Sequence, residues 1–231
     1  MGHHILSKSR FIRGLQCEKA MFLDTYRREL AVITPALRAK FEQGRDFERM
    51  YKNTFPSGID VSAMLGRQTD LYPSVTAELL ARKGDVVLFE AGFQYQGVLV
   101  LADVVHKHED GAIDVMEVKH VTEVREVIKN DVYIQHYVIS HCVEALRSFS
   151  VVYCNELNNE TFLYMDLTAE AKEQHGFIEG KIARFTHTLS SKNEPPIAMG
   201  DHCNAPYECP YKEYCSTHRD IQLTLDFFRE E

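Results

Sequence analysis

Two short segments carry the residues best equipped for chemistry. The first, LADVV, sets Asp103 among apolar neighbours, where an ionised carboxylate is costly unless it has a partner. The second, DVMEVKH, holds Glu117 and Lys119 two positions apart, so on a strand both side chains share a face. If the two segments run side by side, with the HEDG turn between them, Asp103, Glu117 and Lys119 converge on one patch. Two carboxylates suit Mg²⁺ or Mn²⁺, which bind a few acidic oxygens and keep waters or phosphate oxygens in their other positions. A lysine beside them can orient a water or neutralise charge developing on phosphorus. Together these are the minimum equipment for metal-assisted phosphodiester hydrolysis. The same D…ExK pattern also describes a salt bridge on a solvated sheet, and Asp114 shows how readily another acid occurs on the same segment.

A second set of reactive residues closes the chain. In CNAPYECPYKEYC, Cys203, Cys209 and Cys215 stand with five residues between each pair and no histidine among them. Three thiolates leave a four-coordinate site one ligand short. Cys142 and Cys154, in ISHCVEA and VVYCNE, read as small buried hydrophobes in an apolar helix and strand. Cys17, in the polar and basic RGLQCEKA, is the expected fourth ligand, tying the first helix to the last loop. Structural zinc sites usually use close C-x₂₋₄-C knuckles, which this spacing lacks, and iron–sulfur clusters commonly use four cysteines. Spacing alone leaves both open. No export signal opens the chain, so the thiols are expected in a reducing, cytoplasmic compartment, where ligation or burial outweighs disulfide formation.

These residues need a scaffold, and the chain is long enough to supply one. Its 231 residues, 45% apolar and 26% charged, fit a globular protein with a core of its own, taken here as one domain over 1–231. No apolar run approaches the length of a membrane span. The formal charge of −8 argues against wholesale coating of nucleic acid, although it allows a local basic groove. Positive charge is densest near the start, in KSRFIRGLQCEK and YRRE and at Arg38, Lys40, Arg45 and Arg49, where a solvated helix face explains it as well.

Apolar spacing predicts a helix over 7–28 capped by Ser7 or Ser9. A second helix starts at Thr34 with Pro35 at its first position, and a third covers 70–83 and ends at Gly84. β-Branched, turn-punctuated sequence then predicts strands over 85–91, 93–96, 98–106 and 112–119. A helix over 130–147 follows, then strands in FSVVYCNE and TFLYMDL, and a helix over 168–190 opened by a capping-box-like Thr168. KNEPPIAMGDH reads as a loop into the cysteines. The order predicts a mixed α/β (α+β) layer.

The lone cysteine after LSKSRFIRGLQC, the D…ExK pair of segments and the three-cysteine tail together resemble the iron–sulfur RecB-type nucleases of the PD-(D/E)XK superfamily, which include CRISPR-associated single-strand exonucleases and the AddB nuclease domain. GDHCNAPYECPYKEYC and FEQGRDFERMYKNTFPSG resemble a bacterial branch in which such a nuclease head precedes a further domain. The resemblance spans about residues 5–217. It implies a restriction-endonuclease-like core, with a central mixed sheet flanked by helices over 85–165. It also implies a C-terminal cysteine lobe over 195–217, tied to the N-terminal helical part over 5–30.

By the same resemblance, Asp103, Glu117, Lys119 and Gln135 are the catalytic residues. Glu48, four residues after Gly44, joins Asp103 and Glu117 as a ligand for Mg²⁺ or Mn²⁺, with the carbonyl of Val118 as a further ligand. Cys17, Cys203, Cys209 and Cys215 hold a [4Fe-4S] cluster, zinc being the alternative. The sequence departs from the family at Ile139, where the glutamine helix usually carries a tyrosine, and at His120, where a small hydroxyl residue is common. The first gap in the cysteine tail is also wider than the family's usual two residues. The implied activity is that of an exonuclease on single-stranded DNA or DNA ends, within a DNA-processing complex that can include a further domain or partner protein. The alternative is a non-catalytic nucleic-acid-binding module with the same fold. Arg10, Arg13 and Lys19 form a basic flank for a backbone, while Phe11 and Tyr26 are either stacking platforms or core.

Overall fold

The computed structural model describes residues 6–155 and 158–217; the opening MGHH lies outside them. Its centre is a seven-stranded mixed sheet flanked by helices. In chain order the strands are β1 (Leu6–Ser7), β2 (Ile59–Asp60), β3 (Val86–Tyr95), β4 (Val98–Lys107), β5 (Ile113–Val118), β6 (Leu146–Asn155) and β7 (Asn158–Asp166). They lie in the order β2-β3-β4-β5-β6-β7, with β1 paired to β4 off that path. β3–β4, β4–β5 and β6–β7 are antiparallel, whereas β5–β6 is parallel. The parallel step needs a crossover, which helix α6 (Glu126–Ser140) supplies.

Strand β4 is forked. Its first residues, Val98 and Leu99, pair with β1, whereas Val104–Lys107 pair with β5. Asp103 sits where the second partner begins, and Lys8, the first residue after β1, enters the gap between the two partners. β3 and β4 join through a two-residue turn, Gln96–Gly97, with φ of 46° and 76°, the positive pair that a tight hairpin requires. The two strands predicted over 85–91 and 93–96 are therefore one ladder, interrupted at a single place. Glu90 has φ of 52°, and the register, Phe89↔Val104 then Ala91↔Ala102, leaves Glu90 opposite Asp103. Main-core positions on β3 shift there from Val86 and Leu88 to Ala91 and Phe93, and on β4 from Val100 and Ala102 to Val105. Both strands lose a step of alternation at one rung, so the register survives while two carboxylates turn out of the ladder.

The helix predicted over 7–28 is two helices, α1 (Lys8–Gln16) and α2 (Glu18–Tyr26). Cys17 divides them in an extended conformation, φ −164° and ψ 118°. Ser7 caps α1 by accepting from the Arg10 N–H. Helix α3 (Pro35–Lys52) starts at Pro35 as expected and packs Phe47 and Tyr51 against Phe89, Val104, Met116 and Val152. After the short α4 (Val61–Leu65), α5 (Tyr72–Leu80) covers β3. α6 starts earlier and stops earlier than predicted, leaving Cys142 exposed beyond its end rather than buried within it. The helix predicted over 168–190 is also two, α7 (Thr168–Glu173) and α8 (His175–Ser191), and Thr168 is the first helical residue rather than the cap. A loop then leads to α9 (Lys212–Thr217) and the cysteine lobe, whose small core holds Ala20, Leu23, Cys203, Cys209 and Tyr211.

Two contacts fix how the helices pack, one against the sheet and one against each other. A Cβ on Gly92 would lie 2.3 Å from Tyr72 Cβ and 3.2 Å from its carbonyl carbon, so α5 approaches β3 only because position 92 is bare. Gly92→Ala is expected to lower stability by about 1–3 kcal/mol through overpacking. Gly44→Ala, in α3 where an added Cβ meets nothing within 4 Å, should raise it by about 0.5–1 kcal/mol. Denaturant melts of both variants separate the two effects.

The second contact joins α6 to α8. His136 Nδ1 lies 2.8 Å from His175 Nε2, so one ring must donate and the other accept. Burial, then His175, Lys172 and His141, push His136 down to about 4. The folded state therefore resists protonation that the unfolded chain accepts near pH 6.5. Stability is expected to be full above pH 6.5 and to decline as pH falls from there towards 4. His136→Gln should flatten that decline, measured as urea midpoints at pH 7 and pH 5.

Candidate active site

The rung at Glu90 and Asp103 opens onto a cluster of acids. Glu48 from α3, Glu90 from β3 and Asp103 from β4 each bring a carboxylate oxygen within 4.8 Å of the others. Lys52, one turn after Glu48, donates to Glu90 Oε1 at 2.8 Å and also pairs with Glu48. One ammonium among three acids leaves an excess of negative charge. Burial, only partly offset by Lys52, raises the Glu90 carboxyl above its ordinary range. Burial and then the charge of Glu117 push Asp103 up to about 7. Asp103 Oδ2 also accepts the Val118 N–H at 2.8 Å, which presses the backbone of β5 against this carboxylate.

Beside this trio lies a second polar group with the opposite balance. Glu117 is fully buried and is held by three donors: Lys8 Nζ at 3.0 and 3.1 Å, Lys119 Nζ at 2.5 Å and Gln135 Nε2 at 2.6 Å. Burial alone would raise its carboxyl, but Lys119 and then Lys8 outweigh burial and hold it down, at about 2. Burial also works against the Lys119 ammonium, yet Glu117, Asp131 and Asp103 raise its pKa well above the ordinary value. Lys119 is therefore a fixed cation, not a base, at neutral pH. Its side chain is still 30% exposed, and it bridges to Asp131 Oδ2 at 3.1 Å. The Gln135 amide is oriented by its neighbours, because only Nε2 can face Glu117 and the Asp131 carbonyl together.

The structure thus divides the residues singled out from sequence. Glu48 and Asp103 come together with Glu90; Glu117, Lys119 and Gln135 come together with Lys8; and Asp103 touches both groups through Val118 and the field of Glu117. Sequence reasoning missed Glu90, Lys8 and Tyr207. Glu90 carried no motif, and its signal was the interrupted alternation of VVLFEAGF. Lys8 stands out in the sequence only as part of a basic segment. Tyr207, from the cysteine tail, is 46% exposed and lies within electrostatic reach of Asp131, Lys119 and Arg125. The tyrosines of α6 point elsewhere, Tyr133 to Glu170 and Tyr137 to Gln96. Ile139 is fully buried.

The basic flank is smaller in the fold than the sequence implies. Lys19 is buried against Glu194 at 2.9 Å and sits over the Tyr214 ring, which leaves Arg10 and Arg13 partly exposed. Phe11 is core, packed edge-on to Phe185, while Tyr26 is 43% exposed with its hydroxyl donating to the Leu189 carbonyl.

Cys17, Cys203, Cys209 and Cys215 line one small cavity, roofed by Ala198, Met199 and Tyr211, and none of them is in a disulfide. Burial raises the Cys17, Cys209 and Cys215 thiols, and the mutual repulsion of neighbouring sulfurs adds to it. Such an arrangement is unfavourable for thiolates unless a cation compensates them. Gln16 pins the lobe to α1 by donating to the carbonyls of His202 at 2.8 Å and Tyr207 at 2.7 Å.

No protein-family model matches the sequence, and no curated protein matches it either. Among solved structures, the chain is similar to the crystal structure of SSO0001, at 10% identity over 78% of each chain with a TM-score of 0.37. It is also similar to an alkaline exonuclease (LHK-Exo) from Laribacter hongkongensis, at 10% identity over 78% of this chain and 96% of that one, with a TM-score of 0.29. Likenesses this slight carry no functional weight beside the residues themselves.

Crowded acids should be costly to the protein without a divalent ion. Asp103→Asn keeps an acceptor for the Val118 N–H while removing one charge, so the variant is expected to melt above the wild type in chelator. With Mn²⁺ in hundredfold excess over its Kd, the wild type should gain about 2.7 kcal/mol and the variant far less. Paired thermal melts with and without Mn²⁺ measure both.

Proposed function

We propose that this chain is a metal-dependent deoxyribonuclease of the PD-(D/E)XK, RecB-like type, hydrolysing phosphodiester bonds in single-stranded DNA or at DNA ends as an exonuclease. The observation that carries this reading is the adjacency of the Glu48–Glu90–Asp103 trio to the partly exposed, permanently charged Lys119. Three hard oxygens fit Mg²⁺ or Mn²⁺, with Glu117 and the carbonyl of Val118 as neighbouring oxygen donors. A bound ion of this kind would polarise the phosphodiester and lower the pKa of a bound water.

The protein's own groups account for the rest. Lys119 donates to the attacking water or to oxygens on phosphorus as their charge grows, a stabilisation that needs no proton to be taken up. Lys8 and Gln135 act through Glu117, fixing its carboxylate so that Lys119 is held in place. Tyr207 and Arg125 offer an aromatic face and positive charge to a single strand entering this centre, and Arg13 extends that charge towards the cysteine lobe.

For the cysteines we propose a structural [4Fe-4S] cluster. Four sulfurs around a tetrahedral zinc at about 2.3 Å each would stand about 3.8 Å apart. Among the described residues, these sulfurs do not form one of the sets of three or more ligand atoms lying within 4.8 Å of one another. A larger cluster suits the wider spacing. No helix among the described residues is long and apolar enough to cross a membrane. A cytoplasmic protein working in a DNA-processing assembly, with a further domain or partner, fits the reducing chemistry the thiols need.

The test starts with purification without oxygen and measurement of iron, zinc and visible absorbance. Labelled single- and double-stranded DNA are then incubated with Mg²⁺ or Mn²⁺. Cleavage by the wild type and a loss of about 10²–10³-fold in Lys119→Ala are expected. Equal cleavage by that variant would end the catalytic assignment. DNA binding without cleavage by the wild type would favour a non-catalytic module, since a lysine–glutamate–lysine network can be purely structural. Stoichiometric zinc in a colourless protein would replace the cluster and leave the nuclease proposal standing.

A further inference from the structure

A second cluster of metal-ligating side chains lies apart from both sites above. Asp85 immediately precedes β3, His106 lies in the last pleat of β4 and His108 directly follows the strand's end, two positions on, with both rings on the same side. Their ring centroids are 3.9 Å apart. His106 Nε2 is 2.7 Å from Asp85 Oδ2, and His108 Nδ1 is 4.0 Å from Asp85 Oδ1. One ligand atom from each of the three residues lies within 4.8 Å of the other two. Both imidazoles are partly covered, at 20% and 27% side-chain exposure, whereas Asp85 is 52% exposed and leaves coordination positions open to solvent.

The second observation is what stands behind His108. Its other nitrogen, Nε2, lies 2.9 Å from Asp114 Oδ2. Asp114 is itself fixed by Ser148 Oγ, donating at 2.7 Å, and by Arg147, whose Nε donates at 2.9 Å. A carboxylate on the outer nitrogen of a histidine is the arrangement that orients imidazole ligands and raises their basicity. Here it turns Nδ1 towards Asp85. Arg147 Nη2 is also 2.8 Å from Nε2. With Nδ1 coordinated, Nε2 carries the proton and donates a hydrogen bond to the Asp114 carboxylate, and Arg147, half exposed, has room to keep only its contacts with that carboxylate. The Phe55 ring closes the other side of His106, with centroids 6.0 Å apart.

We propose that Asp85, His106 and His108 bind a divalent transition-metal ion of the zinc class, through His106 Nε2, His108 Nδ1 and the Asp85 carboxylate, with Asp114 as the positioning residue behind His108. Two imidazoles and one carboxylate select borderline ions such as Zn²⁺, Co²⁺ or Ni²⁺ over Mg²⁺, which prefers oxygen ligands throughout. The ion clips the start of β3 to the end of β4 and, through Asp114, to β5 and β6.

The experiment uses the full chain with its cysteine site loaded, and zinc itself as the probe. Zinc uptake is followed by competition with a fluorescent chelator, with excess Mg²⁺ present to occupy oxygen sites. One zinc equivalent is expected in the wild type, lost in His106→Gln and in His108→Gln, and weakened about 10- to 100-fold in Asp114→Asn. Glu90→Gln should retain it. The N-terminal His3 and His4 are common to every variant, so background binding by them cancels. Urea melts identify any variant that fails to fold, and in that case the partly exposed Asp85→Asn takes its place. Unchanged zinc affinity in both histidine variants, or no competitive uptake by the wild type, overturns the proposal.

Discussion

A carboxylate with no exposure to solvent must be neutralised where it stands, and Glu117 is neutralised by two ammoniums and an amide brought from three separate elements. Lys119 directly follows the end of the strand that bears Glu117. Gln135 comes from the crossover helix that the parallel step between β5 and β6 demands. Lys8 comes from the other end of the chain, and can arrive only because β4 changes partners from β1 to β5 along its length. Removing any one partner would leave a buried charge undercompensated, a loss usually larger than the net worth of the pair. The fork in the sheet, the start of α1 and the placement of α6 are in this sense one constraint.

Helix α1 carries that constraint to the cysteine lobe. It begins at Lys8, against Glu117, and ends at Cys17, where the chain turns extended and its thiol meets Cys203, Cys209 and Cys215. Nine residues at 1.5 Å each make a strut about 13 Å long. Gly14, where a Cβ would meet Met21 Sδ and the Phe185 ring at 2.8 Å, lets α2 and α8 close on that strut. Gln16 adds two hydrogen bonds to the tail, one of them to the carbonyl of Tyr207. A metal or cluster held by the four thiols would therefore stabilise the position of Lys8 and of Tyr207 together. Energy released on binding it counts towards folding of the segments that build the candidate active site.

Much of this was legible in the sequence where local chemistry decides structure. The Gln96–Gly97 turn, the Pro35 start of α3 and the β-branched runs of β4 and β5 follow from backbone preference, and so does the expectation that Asp103 and the Glu117–Lys119 pair lie on neighbouring strands. What was not legible depends on tertiary contact. RGLQCEKA carries no proline or turn cluster to mark a helix end, yet the chain turns extended at Cys17, whose thiol lies in a cavity shared with the distant tail. VVLFEAGF reads as two strands because Gly92 looks like a break, whereas the ladder runs on through Gly92 and its alternation fails at Glu90, in a paired dislocation rather than an end. A two-residue strand such as β1 has no periodicity to detect, so Lys8 offered no sign of its destination. The cysteine count pointed to four candidate ligands, yet Cys142 lies outside the helix it was assigned to because that helix ends at Ser140.

The dislocation at Glu90 also explains how opposed charge clusters coexist without cancelling. In an unbroken ladder, Glu90 and Asp103 would be one cross-strand pair of like charges, which is destabilising. The shift of phase turns both out of the ladder, towards Glu48 and Lys52 on α3, while Val118 N–H keeps Asp103 tethered to the strand that bears Glu117. Asp103 thereby feels both sides: burial and Glu117 raise its carboxyl, and Lys8 and Lys119 lower it. A residue poised between an acidic cluster and a cationic one responds to small changes in either. Strain of this kind, a non-glycine at positive φ beside crowded carboxylates, persists only where the surrounding fold over-determines it. Here the over-determination is visible, in the continuous register on both sides of the rung and in the core that α3 and α5 press against β3.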